Sequence, residues 1–228
     1  MSLRNLIQMV CLAVLFTTAS QTQAALINTV AQFGGTIQSF GETKTPTYGQ
    51  TFTAPSDNVL NSFSLYLNGT VTNPLHFKAY VYAWDGVKAT GSQLYQSSQQ
   101  SYTGSVLGSP TEFAFSTGAT QLSTGTKYVA FLNADFDGNA STTGMPISGS
   151  FTSNPYSGGE FVFLNNGNNF SLLTTKAWRT FSSADVWFKA SFSDEVAVPE
   201  PASMVVWSIG ALGMGLVARR RVRKAVTV

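Results

Sequence analysis

The 228-residue sequence contains one cysteine, Cys11, and it lies in an apolar stretch near the start. Nothing beyond residue 24 can therefore form a disulfide, a thiolate metal site or a cysteine nucleophile. Histidine is as scarce, with His76 alone. A Ser-His-Asp triad would have to use it, and no nucleophile-elbow motif accompanies it. The histidine cluster that metal-assisted hydrolysis requires is absent. Charged residues are few, at 11%. Residues 25–198 hold six lysines and Arg179 against ten acids, a net charge of −3, so the chain's formal +2 belongs to its ends. A mildly acidic body with scattered charge has no electrostatic footprint for nucleic acid, and nucleic-acid binding is excluded. That body also shows no window of helical periodicity.

Gly, Ser, Thr, Asn and aromatic residues fill the body instead. Short alternating runs separated by turn residues predict strands. These are Asn28 to Phe33, Tyr48 to Thr53, Phe63 to Leu67, Leu75 to Trp84, Gln93 to Tyr102, Glu112 to Phe115 and Tyr128 to Leu132. Phe151, Glu160 to Leu164 and Ala184 to Phe192 complete the set. Asn68-Gly69 and Asp85-Gly86 mark turns. The predicted fold is all-β: an antiparallel β-sandwich, jelly-roll-like, over residues 25–193, followed by a linker at 194–198. The 174 residues from 25 to 198 suffice for one core without covalent staples.

Both ends carry routing information. Residues 1–24 have a single cation, Arg4, an apolar core from Leu6 to Phe16 broken by Gln8, and a small residue after Thr22-Gln23. That is the layout of a signal peptide cleaved after Ala24. At the other end, Ala202 to Ala218 is 17 residues without charge. As a helix it spans roughly 26 Å, at the lower edge of a hydrocarbon core of about 30 Å. Arg219, Arg220, Arg221, Arg223 and Lys224 follow it without an anion, so the positive-inside rule puts them in the cytoplasm as a stop-transfer tail. Ahead of the helix, Pro199-Glu200-Pro201 forms a rigid extended strip that suits an enzyme cleft.

Val198-Pro199-Glu200-Pro201-Ala202-Ser203, a short Gly-containing span and a terminal Arg cluster together resemble the PEP-CTERM sorting signal, here over residues 199–224. The resemblance implies recognition by an exosortase, a membrane-embedded cysteine transpeptidase-like enzyme of Gram-negative envelopes. Pro199, Glu200 and Pro201 would be the sorting motif. The chain would occupy the inner membrane transiently and then reach the cell surface or the medium, alongside exopolysaccharide. The stretches Tyr48 to Phe52, Phe77 to Gly86 and Tyr128 to Leu132 also resemble β-sandwich modules of bacterial surface proteins.

Two places in the body could carry binding. On Leu75 to Trp84, Leu75, Phe77, Ala79, Val81 and Ala83 share one face, and His76, Lys78, Tyr80, Tyr82 and Trp84 share the other. Two readings fit His76, Tyr80, Tyr82 and Trp84: a platform on which sugars stack, or the second face of a central strand covered by protein. Asp135-Phe136-Asp137-Gly138-Asn139 likewise reads as a hairpin turn or as a Ca²⁺ loop using Asp135 and Asp137. No other cofactor is implied. The expected function is a non-catalytic structural or glycan-binding component of the cell surface or biofilm matrix. The alternative is a secreted glycan hydrolase with paired carboxylates, for which Glu42, Glu112 and Glu160 lie in no recognisable setting.

Overall fold

The computed structural model describes residues 24–31, 33–138, 140–151, 154–181 and 184–194. The expected signal peptide, apart from Ala24, lies outside the described residues, as do the sorting motif, the helix 202–218 and the basic tail. Among the described residues no helix is long and apolar enough to cross a membrane.

In chain order the strands are β1 (Leu26–Asn28), β2 (Phe33–Phe40), β3 (Thr47–Thr53), β4 (Val59–Leu67), β5 (Leu75–Trp84), β6 (Ala89–Gln96) and β7 (Gln100–Tyr102). Then come β8 (Thr111–Gln121), β9 (Lys127–Ala134), β10 (Thr143–Ser148), β11 (Phe161–Leu164), helix α1 (Leu172–Thr175), β12 (Arg179–Thr180) and β13 (Phe188–Ser193). One sheet has the order β1-β13-β4-β8 and the larger one β12-β11-β3-β9-β5-β6, with β7 also paired to β5. The β2–β10 pair extends the smaller sheet through bridges at Asn68–Gly144 and Ile147–Val186. The strand pairings are antiparallel. The chain repeatedly changes sheet, as from β3 to β4 and back to β5.

Period-two alternation builds the sandwich. Phe63, Leu65 and Leu67 on β4 and Phe188, Ala190 and Phe192 on β13 point inward from the smaller sheet. Phe52 on β3, Phe77, Ala79 and Val81 on β5 and Ala130 and Leu132 on β9 meet them from the larger one. Ring pairs cross the gap: Phe52 to Phe188 at 5.7 Å, Phe63 to Tyr95 at 5.7 Å and Phe77 to Phe113 at 4.9 Å. The fully buried rings among them, Phe52, Phe63, Phe77 and Phe188, each contribute about 1.5–3 kcal/mol through apolar area removed from water.

The strand boundaries depart from the sequence expectation where alternation is interrupted. β2 begins where Asn28 to Phe33 was expected to end, because Gly34 and Gly35 hide its pattern. β10 was not anticipated; Pro146 reads as a breaker, yet here its carbonyl accepts the Trp187 N–H at 2.9 Å. Phe151 lies in a turn and not in a strand. Gln93 to Tyr102 is two strands, because Ser97 takes over the ladder beside Ala79. Its Oγ accepts the Ala79 N–H at 2.9 Å, and its own N–H donates to the Ala79 carbonyl at 2.9 Å. Gly159 is required for a different reason: a Cβ there would collide with the Thr51 carbonyl oxygen.

Asp185, fully buried, anchors the approach to β13. It accepts Gln50 Nε2 at 2.6 Å and the Tyr156 N–H at 2.9 Å, while Gln50 Oε1 accepts the Val186 N–H at 3.1 Å. Asn154, in the amide orientation that satisfies both its ends, donates to the same carboxylate at 3.2 Å. Burial pushes the Asp185 carboxyl up from 3.8 to about 6, and the Glu160 charge adds to this, against the Tyr156 and Gln50 donors. The folded state therefore holds this proton more tightly than the unfolded chain. The corresponding stability is present below about pH 4 and is lost as pH rises through about 6; it amounts to about 3 kcal/mol. Unfolding free energies across pH 4–7 should show this decline, and Asp185→Asn should flatten it, whatever constant cost the amide itself adds. Equal pH slopes for the two proteins would contradict the assignment.

Candidate functional site

The outer face of the larger sheet divides into a covered part and an open end. After β11 the chain runs through Asn165 to Ala177 and lays α1 and Trp178 across this face. Tyr80, Tyr82 and Trp84 pack there with Val129, Phe131, Leu164, Leu173 and Trp178 as a second core. Trp178 meets Trp84 edge-on at 5.5 Å and Phe131 at 5.2 Å. Its indole N–H donates to the Leu173 carbonyl at 2.8 Å and its backbone N–H to Val87 at 2.9 Å, which fixes the strap. Tyr80, Tyr82 and Trp84 are left 5%, 6% and 8% exposed. Of the two readings of this row, the geometry carries the covered central strand. The sugar-platform reading is corrected at Tyr80, Tyr82 and Trp84, where the strap occupies the space a stacked sugar would need. Burial raises the Tyr80 hydroxyl to about 12, helped by the Asp135 charge and by Tyr82, and burial also raises that of Tyr82.

His76 and Lys78 belong to the open end. The strap stops short of them, and the turn after β9 rises beside them. The Asp135 N–H donates to the His76 carbonyl at 2.9 Å, which brings the turn's carboxylates over the strand. Asp137 contacts His76 Nδ1, and Lys78 Nζ lies 3.7 Å from Asp135 Oδ1. The two acids that suited Ca²⁺ are thus each held by a basic side chain. Among the described residues no three His, Cys, Asp or Glu side chains are grouped to hold a metal.

Between this turn and the 166–170 loop lies a groove of about 230 Å³, lined by Lys78, Tyr80, Asn133, Asp135, Asn168 and Phe170 among others. Thr47 ties its two walls. Its hydroxyl accepts Asn133 Nδ2 at 2.7 Å and donates to Asn166 Oδ1 at 2.7 Å. Phe170 is 40% exposed and packs on Tyr80 with ring centroids 5.1 Å apart. Asp135 Oδ2 is shielded from solvent and has no hydrogen-bond donor among the described residues.

So the structure brings together His76, Lys78, Asp135 and Asp137 at one end of β5, and it separates Trp84 from them. Sequence reasoning missed the 166–170 loop. Its signal was a lone ring in the Asn-rich stretch Asn165-Asn166-Gly167-Asn168-Asn169-Phe170, which reads as a turn. It also missed a ring group on the smaller sheet, where Trp187 meets Phe33 at 6.3 Å and Tyr66 at 5.5 Å beside a Lys189–Glu112 ion pair.

The division of the face has a direct mutational signature. Trp84→Ala and Trp178→Ala should each cost about 3–5 kcal/mol by leaving a cavity. The double variant should cost less than their sum, because the two rings touch. Phe170→Ala should stay within about 1 kcal/mol of the parent, its ring being open to solvent. Denaturant titrations measure all four, and a Trp84→Ala protein as stable as the parent would contradict the second core.

No family model matches the sequence. No curated protein matches it either. Among solved structures, the fold is similar to the cysteine protease and lectin-like domains of Cwp84, a surface-layer-associated protein of Clostridium difficile. The two are 12% identical with a TM-score of 0.40, covering 65% of this chain and 32% of that one. The chain thus spans about a third of the length of that neighbour.

Proposed function

We propose that this chain is an exported protein, sorted by an exosortase, whose β-sandwich is a non-catalytic structural or glycan-binding component of the cell surface or exopolysaccharide matrix. The observation that carries this is the order of parts in residues 199–224: Pro199-Glu200-Pro201, an uncharged 17-residue span and five cations. The fold supports it in one respect. Among the described residues β13 is the last strand; it ends at Ser193, ahead of the motif, and is paired with both β1 and β4. Removal of everything from Pro199 onward would leave the hydrogen-bond ladders among the described residues untouched. The inner membrane is then a station and the exosortase the partner that ends it.

The hydrolase alternative needs two carboxylates facing each other across a groove at about 5–10 Å. The groove is lined by one acid, Asp135, which lies beside Lys78; Asp137 contacts His76, and Glu112 is paired with Lys189 on the other sheet. A non-catalytic role accommodates those pairings directly.

Sorting is tested on the motif. Glu200→Ala or Pro201→Ala should leave full-length protein in the inner membrane, whereas the parent loses its tail. Fractionation followed by mass measurement reads this out. Normal tail loss in both variants would overturn the exosortase reading and leave an ordinary membrane anchor as the better account.

A further inference from the structure

We propose that the groove between β5, the 135–138 turn and the 166–170 loop binds a neutral saccharide, as a single ring or a chain end. This gives the binding half of the proposed function a location and a ligand class, and rests on that reading only for the availability of polysaccharide. Size is the first constraint. At about 230 Å³ the groove is below the 300–1,000 Å³ of drug-sized pockets, so its occupant is small.

Charge is the second constraint. Lys78 and Asp135 line the groove as partners 3.7 Å apart, so their charges offset. An anionic ligand would have to lie against the Asp135 carboxylate, and a cation against the Lys78 ammonium. A neutral molecule meets neither penalty.

Hydrogen-bond chemistry narrows the class further. Lys78 is a donor only and ionised Asp135 an acceptor only. Asn133 has its Nδ2 committed to Thr47, which leaves its Oδ1 as an acceptor. A donor and two acceptors in one small groove fit adjacent hydroxyls, because each hydroxyl both donates and accepts. The apolar wall is Phe170, exposed and backed by Tyr80, placed to cover the C–H face of a sugar ring. Both walls are held in advance by the Thr47 hydroxyl, so binding does not have to order them.

The test uses the full chain, in a detergent without a sugar headgroup, on a printed array of neutral and uronic-acid oligosaccharides. Binding to one or more neutral glycans is expected, with at least tenfold loss in Phe170→Ala and in Asp135→Asn, both with parental melting temperatures. Three results would overturn the proposal: no glycan bound, binding confined to uronic-acid glycans, or variants that bind like the parent. Glu200→Ala protein on the same array separates the two readings. Its glycan binding should equal the parent's, so a failure of sorting leaves the site standing, and an empty array leaves sorting untouched.

Discussion

Everything on the larger sheet depends on the contact of Trp178 with Trp84 and Phe131. β5 and β9 sit side by side in the middle of that sheet and carry large apolar side chains on both faces. An antiparallel strand with only one covered face alternates apolar with polar residues. β5 instead has Phe77, Ala79 and Val81 on one side and Tyr80, Tyr82 and Trp84 on the other. The sandwich interior satisfies the first set only. A second cover is therefore obligatory, and the chain from Asn165 to Trp178 supplies it with one short helix and one indole.

That cover also sets where a ligand can go. The strap is pinned at Trp178 by the Leu173 and Val87 carbonyls and at its other end by Asn166 on Thr47. Between those pins it seals the Tyr82–Trp84 end of β5. Beyond Asn166 it leaves the His76–Lys78 end open, and the β9 turn forms the opposite wall. The groove is thus a by-product of covering an apolar face with a segment that stops short of one end of the strand beneath it. Its polar lining follows from position: Lys78 and Asp135 sit at the sheet's rim, meet water and offset each other's charge.

How much of this was legible in the sequence varies with the kind of signal. The bounds of β5, Leu75 to Trp84, were readable to the residue, because strict alternation ends in Asp85-Gly86. β4 likewise stops where Asn68-Gly69 indicates. β2 and β10 were hidden, since Gly34, Gly35, Gly144 and Pro146 interrupt the apolar pattern, and their pairing comes from backbone contacts that pattern does not encode. Of the candidate site, alternation correctly put His76, Lys78, Tyr80, Tyr82 and Trp84 on one face. It could not say which part of that face another segment would cover. That information is tertiary, and it resides in Trp178 and Leu173, roughly ninety residues downstream of β5. Asp135 and Asp137 were legible as a carboxylate pair, whereas their basic partners were set by the register of β5 against β9.

A cysteine-free sandwich must fix the mutual placement of its two sheets by other means, and here buried polar groups do so where apolar rings cannot. Rings such as Phe52 and Phe188 tolerate sliding, because dispersion and burial are only weakly directional. Hydrogen bonds are not tolerant. Gln50 on β3 of the larger sheet holds Asp185 and the Val186 N–H, which lead into β13 of the smaller one. Thr29, following β1, donates from Oγ1 to the Val186 carbonyl at 2.5 Å and accepts the Phe188 N–H at 2.8 Å. A one-residue slip of β13 would break each of these bonds and turn Phe188, Ala190 and Phe192 outward. A buried, unpaired partner costs about 1–3 kcal/mol or more, so the slipped arrangements are penalised by the polar groups as well as by the rings. Apolar area thus supplies most of the stability of this domain, and the bonds of Gln50 to Asp185 and Val186, with those of Thr29 to Val186 and Phe188, select which arrangement of the sheets receives it.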